Sequence, residues 1–160
     1  MGRMAQMGTE WLERSLDGLS RVARRRGTAG PAHLLTGIDG ERAAYFYLRR
    51  NGYIVVGRRW SAGNLTGDID LIAWQGPMLC FVEVKSRTAH DITPAEVAVD
   101  MHKRNILRRL ARAYVRQLPR ETAPPVRFDV ISVYLVPGKE TEIRHFENSF
   151  GWRELRQDWD

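Results

Sequence analysis

Gly67-Asp68-Ile69-Asp70-Leu71-Ile72-Ala73-Trp74, then Gln75-Gly76-Pro77, then Met78-Leu79-Cys80-Phe81-Val82-Glu83-Val84-Lys85-Ser86-Arg87 is the stretch on which the fold turns. Two apolar runs flank a short turn at Gln75-Gly76-Pro77, the pattern of a β-hairpin. Both runs carry charge where an ordinary core strand has none. Side chains alternate faces along a strand, so Asp68 and Asp70 share one face of the first run, and Glu83 and Lys85 share one face of the second. If those faces coincide, three carboxylates and one ammonium converge. Burying such a group costs free energy unless a cation or hydrogen bonds compensate it.

Working outward, Asp70 followed after a gap by Glu83-Val84-Lys85 resembles the Asp…Glu-x-Lys signature of the PD-(D/E)xK nuclease superfamily. Longer segments are more specific. In order, Gly40-Glu41-Arg42-Ala43-Ala44, Asn51-Gly52-Tyr53, Gly67 to Ala73, Phe81 to Arg87 and Arg127-Phe128-Asp129-Val130 resemble the bacterial YraN (UPF0102) family. The likeness runs from about Gly37 to Phe150. The resemblance implies an α/β restriction-endonuclease-like core and a metal-dependent endonuclease that hydrolyses phosphodiester bonds of DNA, branched or junction structures included. Asp70 and Glu83, with the backbone carbonyl of Val84, are then expected to hold Mg²⁺ or Mn²⁺. Hard divalent cations take oxygen ligands, and Mg²⁺ takes one or two protein carboxylates. Lys85 is expected to orient the attacking water and stabilise developing charge, and Glu41 to serve as an auxiliary ligand. Related resolvases are dimers, so a homodimer is expected by analogy.

The chain has 160 residues, long enough for one domain with a core, and a net charge of +6. A basic balance favours a polyanionic partner such as nucleic acid. Arginine greatly outnumbers lysine. No apolar run is long enough for a membrane span, and the first residues lack an apolar signal-peptide stretch, so a cytoplasmic protein without a membrane partner is expected. The single cysteine, Cys80, lies on the strand face opposite Glu83 and reads as a small core residue. Four histidines lie scattered, without the spacing of a zinc site.

Residues 1–36 read as a basic extension, with a helical pattern from Thr9 to Arg26 ending in Arg24-Arg25-Arg26-Gly27 and a linker at Thr28 to Pro31. Residues 37–150 form the nuclease-like domain and 151–160 a polar tail. A helix is expected from Asp39 to Arg50, stopped by Asn51-Gly52, with Glu41 in its first turn, where the helix dipole also favours a carboxylate. Tyr53 to Val56 reads as a strand and Arg58-Arg59-Trp60 as a loop, suited either to phosphate contact and base stacking or to a tryptophan plugging the core. Thr93-Pro94 reads as a helix start.

From Asp100 to Leu118 a longer helix shows an apolar stripe of Ile106, Leu107, Leu110, Ala111, Tyr114 and Leu118. Its other face carries Lys103, Arg104, Arg108, Arg109, Arg112 and Arg116 with almost no acid between them. A one-sign face suggests a polyanion. The candidate nucleic-acid contacts are therefore Arg58, Arg59, Arg87, Lys103, Arg104, Arg108 and Arg112. Arg127 to Val136 reads as an internal strand, with Asp129 paired to a neighbouring arginine, and Thr141 to Phe146 as a further strand. The whole is a mixed central sheet flanked by helices. Two other functions fit the same residues: a non-catalytic nucleic-acid-binding module, and a partner-binding protein that docks through its basic arm.

Overall fold

The computed structural model describes residues 32–89 and 99–152, with side chains from residue 36 onward. The pattern at Thr9 to Arg26, the start at Thr93-Pro94 and most of the tail lie outside the described residues. The chain divides after Leu35, and the fold that follows is that of the unit Thr36–Asp160.

In order come α1 (Ala32–Arg50), β1 (Ile54–Trp60), β2 (Ile69–Gln75), β3 (Met78–Arg87), α2 (Met101–Val115), β4 (Val126–Tyr134) and β5 (Glu142–Phe150). The strands form one sheet in the order β1-β2-β3-β4-β5. β3 and β4 are parallel, and the other neighbouring pairs are antiparallel. A parallel pair requires a crossover, and α2 supplies it. This is the mixed α/β core expected.

The sheet is covered on both sides. Ile72, Leu79, Phe81, Phe128 and Val130 pack with Ile106, Leu107, Leu110 and Ala111 of α2. Leu71, Ala73, Cys80, Val82, Ile131 and Val133 pack with Ala44 and Leu48 of α1. Strand alternation explains the division, since the neighbours Ile72 and Leu71, or Val130 and Ile131, point to opposite faces. β3 and β4, apolar on both faces, are the central strands. Cys80 takes its expected place as a core residue.

Several boundaries differ from expectation. α1 begins seven residues before Asp39, so Glu41 lies in mid-helix and no acidic residue occupies the first turn. Gly37 and Gly40 are carried inside the helix. Gly40 is there because a side chain at that point would collide with Ser86 Oγ. β1 runs on through Arg58-Arg59-Trp60, aided by a bulge between Val55 and Gly57. Bulges re-aim a strand without ending it. α2 stops at Val115, with Asp100 as its N-cap. β5 continues to Phe150 past a register shift opposite Phe128/Val130, with Asn148 left-handed at φ 52°.

Candidate functional site

β2 and β3 pair from Gln75↔Met78 to Leu71↔Val82. One step further, Asp70 stands opposite Glu83, and there the strands part: the Val84 N–H donates to Asp70 Oδ2 at 2.7 Å. The carboxylate thus replaces a ladder carbonyl at the point where the ladder ends. Ile72 and Phe81 are register partners in the core beneath α2. Asp70 and Glu83, each two residues away on its strand, face the same way.

Glu83 is only 4% exposed. The Lys85 ammonium donates to its Oε1 at 3.0 Å, and Lys103 Nζ lies 3.1 Å from its Oε2. Lys103 meets that second oxygen as an ion pair. Burial, and next the charge of Glu83, push the Asp70 carboxyl up to about 7, although the Val84 N–H and Lys103 favour its ionised form. Burial works against the ammonium of Lys103, yet Glu83, Asp70 and Asp68 together raise its pKa.

Three carboxylates do not converge as expected. Asp68 precedes the first residue of β2, after Gly67 at φ 89°, so strand alternation does not govern it. It acts on Lys103 and Arg59 only through its charge. Glu41 is near enough for its charge to be felt at Asp70, but Arg59 holds both of its oxygens, at 2.7 and 2.8 Å. Among the described residues no group of three or more His, Cys, Asp or Glu side chains is gathered so as to hold a metal ion.

The basic residues divide. Arg58 is exposed and lies over the Tyr45 ring at 5.1 Å. Arg112 is exposed over Trp152 at 5.4 Å. Arg109 and Arg116 are exposed. Arg104 bonds the Val99 carbonyl and lies over Phe150. Arg108 is buried, donating to the Gly151 carbonyl and Asn105. Arg87 and Lys85, with Ser86, Thr88 and Ala89, line a cleft of about 370 Å³. Trp60 plugs the core edge against Tyr114.

Lys103, expected on the basic face of α2 as a nucleic-acid contact, turns its ammonium onto Glu83. Asp100 caps α2 by accepting from the Lys103 N–H at 2.8 Å, and the Lys103 side chain in that first turn reaches Glu83. A signal existed: the chain has only three lysines, and two of them meet on one carboxylate.

On the α1 face a separate network surrounds Asp129. Arg127 binds it with two N–H groups at 2.8 and 2.9 Å, the Asn148 N–H donates at 2.9 Å, and His145 Nε2 lies at 3.0 Å. Tyr53 joins Arg127 to Glu147. Asp129 therefore has the arginine partner expected of it.

The fold and this site define an α/β protein with a restriction-endonuclease-like core and an Asp/Glu/Lys cluster where two strands diverge. Residues 40–133 match the uncharacterised protein family UPF0102. A UPF0102 protein of Koribacter versatilis is 51% identical over 105 residues, covering 66% of this chain and 72% of the relative. One from Solibacter usitatus is 46% identical over 103 residues, covering 64% and 77%. One from Symbiobacterium thermophilum is 41% identical over 115 residues, covering 71% and 94%. The chain belongs to the UPF0102, or YraN, family. Among the described residues no helix is long and apolar enough to cross a membrane.

Proposed function

We propose that this protein is a divalent-metal-dependent nuclease that hydrolyses phosphodiester bonds of DNA. One observation carries the reading: Asp70 and Glu83 face the same side at the parting of β2 and β3, with Lys85 3.0 Å from Glu83. The donor set suits a hard cation. Asp70 commits one oxygen to Val84, and its carboxyl is held up to about 7 by burial and by Glu83, two effects that a bound divalent ion offsets. Mg²⁺ or Mn²⁺, held by Asp70, Glu83 and the Val84 carbonyl, would supply charge neutralisation at the phosphoryl oxygens.

The protein's own residues do the rest. Lys85, partly exposed beside the cleft, presents a positive charge to a phosphate and a donor to an attacking water. Arg58, Arg109, Arg112 and Arg116 offer exposed guanidinium groups to the backbone of a long polyanion. Glu41 is an auxiliary acid whose availability depends on Arg59 releasing it.

A second reading has its own support. Both Glu83 oxygens already face lysines, so the cluster is charge-compensated without any cation. On that reading the protein binds nucleic acid and turns nothing over. Purified protein incubated with linear, flapped and four-way-junction DNA and Mg²⁺ or Mn²⁺ separates the two. Cleavage that disappears in Glu83→Ala and Lys85→Ala, with binding retained, supports the nuclease. Full cleavage by Glu83→Ala eliminates it, and salt-sensitive binding without turnover under any metal favours the module.

A further inference from the structure

Ser132 lies in β4 with none of its surface exposed, and its Oγ has no hydrogen-bond partner among the described residues. A buried hydroxyl left unsatisfied disfavours the fold, which makes Ser132 Oγ a ready acceptor for any donor that moves within its reach. In the parallel ladder Ser132 is the register partner of Lys85, and Val130 that of Glu83. The hydroxyl therefore stands on the side of the sheet that carries the acidic cluster. Its partner across the other ladder, Arg144, bonds Glu142 at 2.7 Å and lies over the Tyr134 ring.

Lys85 has three N–H donors and, among the described residues, one bonded partner, Glu83 Oε1. Lys103 holds the other oxygen. A divalent cation taking up Glu83 competes with these ammonium groups for the same oxygens, since two cations at one carboxylate oxygen repel. Lys85 has room to move: its side chain is 31% exposed and borders the cleft. It leaves with its donors unmet, and Ser132 Oγ is an unmet acceptor on the neighbouring strand.

We propose that Ser132 is a second docking point for Lys85: the ammonium rests on Glu83 Oε1 without a cation and donates to Ser132 Oγ when a divalent cation engages Glu83. The proposal rests on the metal-dependent reading above. Ser132 is a positioning residue, touching neither cation nor phosphate and acting through Lys85. The displaced charge stays fixed within the site instead of swinging into solvent.

The test uses the full chain, Mg²⁺ and Ser132→Ala. Without metal, Ser132→Ala keeps or raises the thermal midpoint, because it removes an unsatisfied group. With metal, its Mg²⁺ affinity falls about tenfold, the lower end for a partner one step removed from a ligand. In ¹⁵N-lysine-labelled wild-type protein, Mg²⁺ shifts the Lys85 ammonium signal, assigned with Lys85→Arg, and the signal stays protected from exchange; in Ser132→Ala the protection is lost. Unchanged Mg²⁺ affinity in Ser132→Ala, an ammonium signal equally protected in both proteins, or a lower metal-free midpoint overturns the proposal. If wild-type protein takes up no Mg²⁺ at all, the metal-dependent reading falls and this one with it. Wild-type uptake that Ser132→Ala leaves untouched overturns the docking point alone.

Discussion

Lys103 Nζ lies 3.1 Å from Glu83 Oε2, tying the first turn of α2 to the central strand β3. Glu83 is nearly buried, and its two oxygens face Lys103 and Lys85. Removing one partner of a buried ion pair leaves the other uncompensated. Because Lys103 keeps 26% of its side chain exposed and Lys85 remains, Lys103→Ala is expected to cost about 2 kcal/mol, less than a fully buried pair. Urea denaturation checks it. If the nuclease reading holds, Mg²⁺ recovers part of that loss, since the variant has one ammonium fewer competing for Glu83.

The Asp70 carboxyl gives a pH signature. Its pKa rises from 3.8 in the unfolded chain to about 7 in the fold, through burial first and Glu83 second. A raised carboxyl favours the folded state fully below the unfolded value and loses that contribution as pH climbs through the folded value. The window is therefore about pH 4 to 7, with stability falling across it on this account. Asp70→Asn keeps an acceptor for the Val84 N–H but cannot ionise. Its thermal midpoint relative to wild type, in chelator, is expected to rise between about pH 4 and pH 7 and then to level off. A difference that stays flat with pH means that Asp70 titrates normally.

Arg59 grips Glu41 through two bonds from a left-handed backbone at φ 45°. That conformation costs an arginine free energy, which the bidentate pair helps to offset. Arg59 is 55% exposed, so the pair itself is worth only about 0.5–1 kcal/mol. A double-mutant cycle of Glu41→Gln and Arg59→Ala reads this coupling. Arg59→Gly, which accepts the backbone angle, is expected to be milder than Arg59→Ala.

The hairpin, the central place of β4 and the apolar stripe of α2 were legible because each is a local pattern: alternation, β-branching and a 3.6-residue period. The start of α1 was not, because Gly37 and Gly40 weaken the local helical signal, yet the helix carries both, Gly40 at a point where a side chain would collide with Ser86. Arg58-Arg59-Trp60 likewise looked like loop, and only pairing with β2 keeps it in the sheet. Within the site, Asp70, Glu83 and Lys85 could be found from one hairpin. Lys103 and Ser132 reach that face through α2 and β4, contacts set by tertiary register that no window of sequence contains. The basic face of α2 misled for a related reason. Spacing marks which residues share a helix side, but not that Arg104 and Arg108 would fold back over Phe150.

Asp129 anchors the opposite face, and its loss should separate stability from chemistry. It is 1% exposed and held by Arg127, the Asn148 N–H and His145. Asp129→Asn removes the charge that balances Arg127 inside the fold and is expected to cost about 3–5 kcal/mol. Cys80 reports on the same region: burial, and next the charge of Asp129, push its thiol up to about 11, so the native protein should label very slowly with a thiol reagent at pH 8. Asp129→Asn should speed labelling by opening this face more often, even though losing its charge eases thiol ionisation only slightly. The network lies on the α1 side of the sheet and Glu83 on the other, so any DNA cleavage by the folded fraction should keep its wild-type metal dependence. An Asp129→Asn protein with native stability and slow labelling shows that the arginine is satisfied by Glu147 and Tyr53 without it.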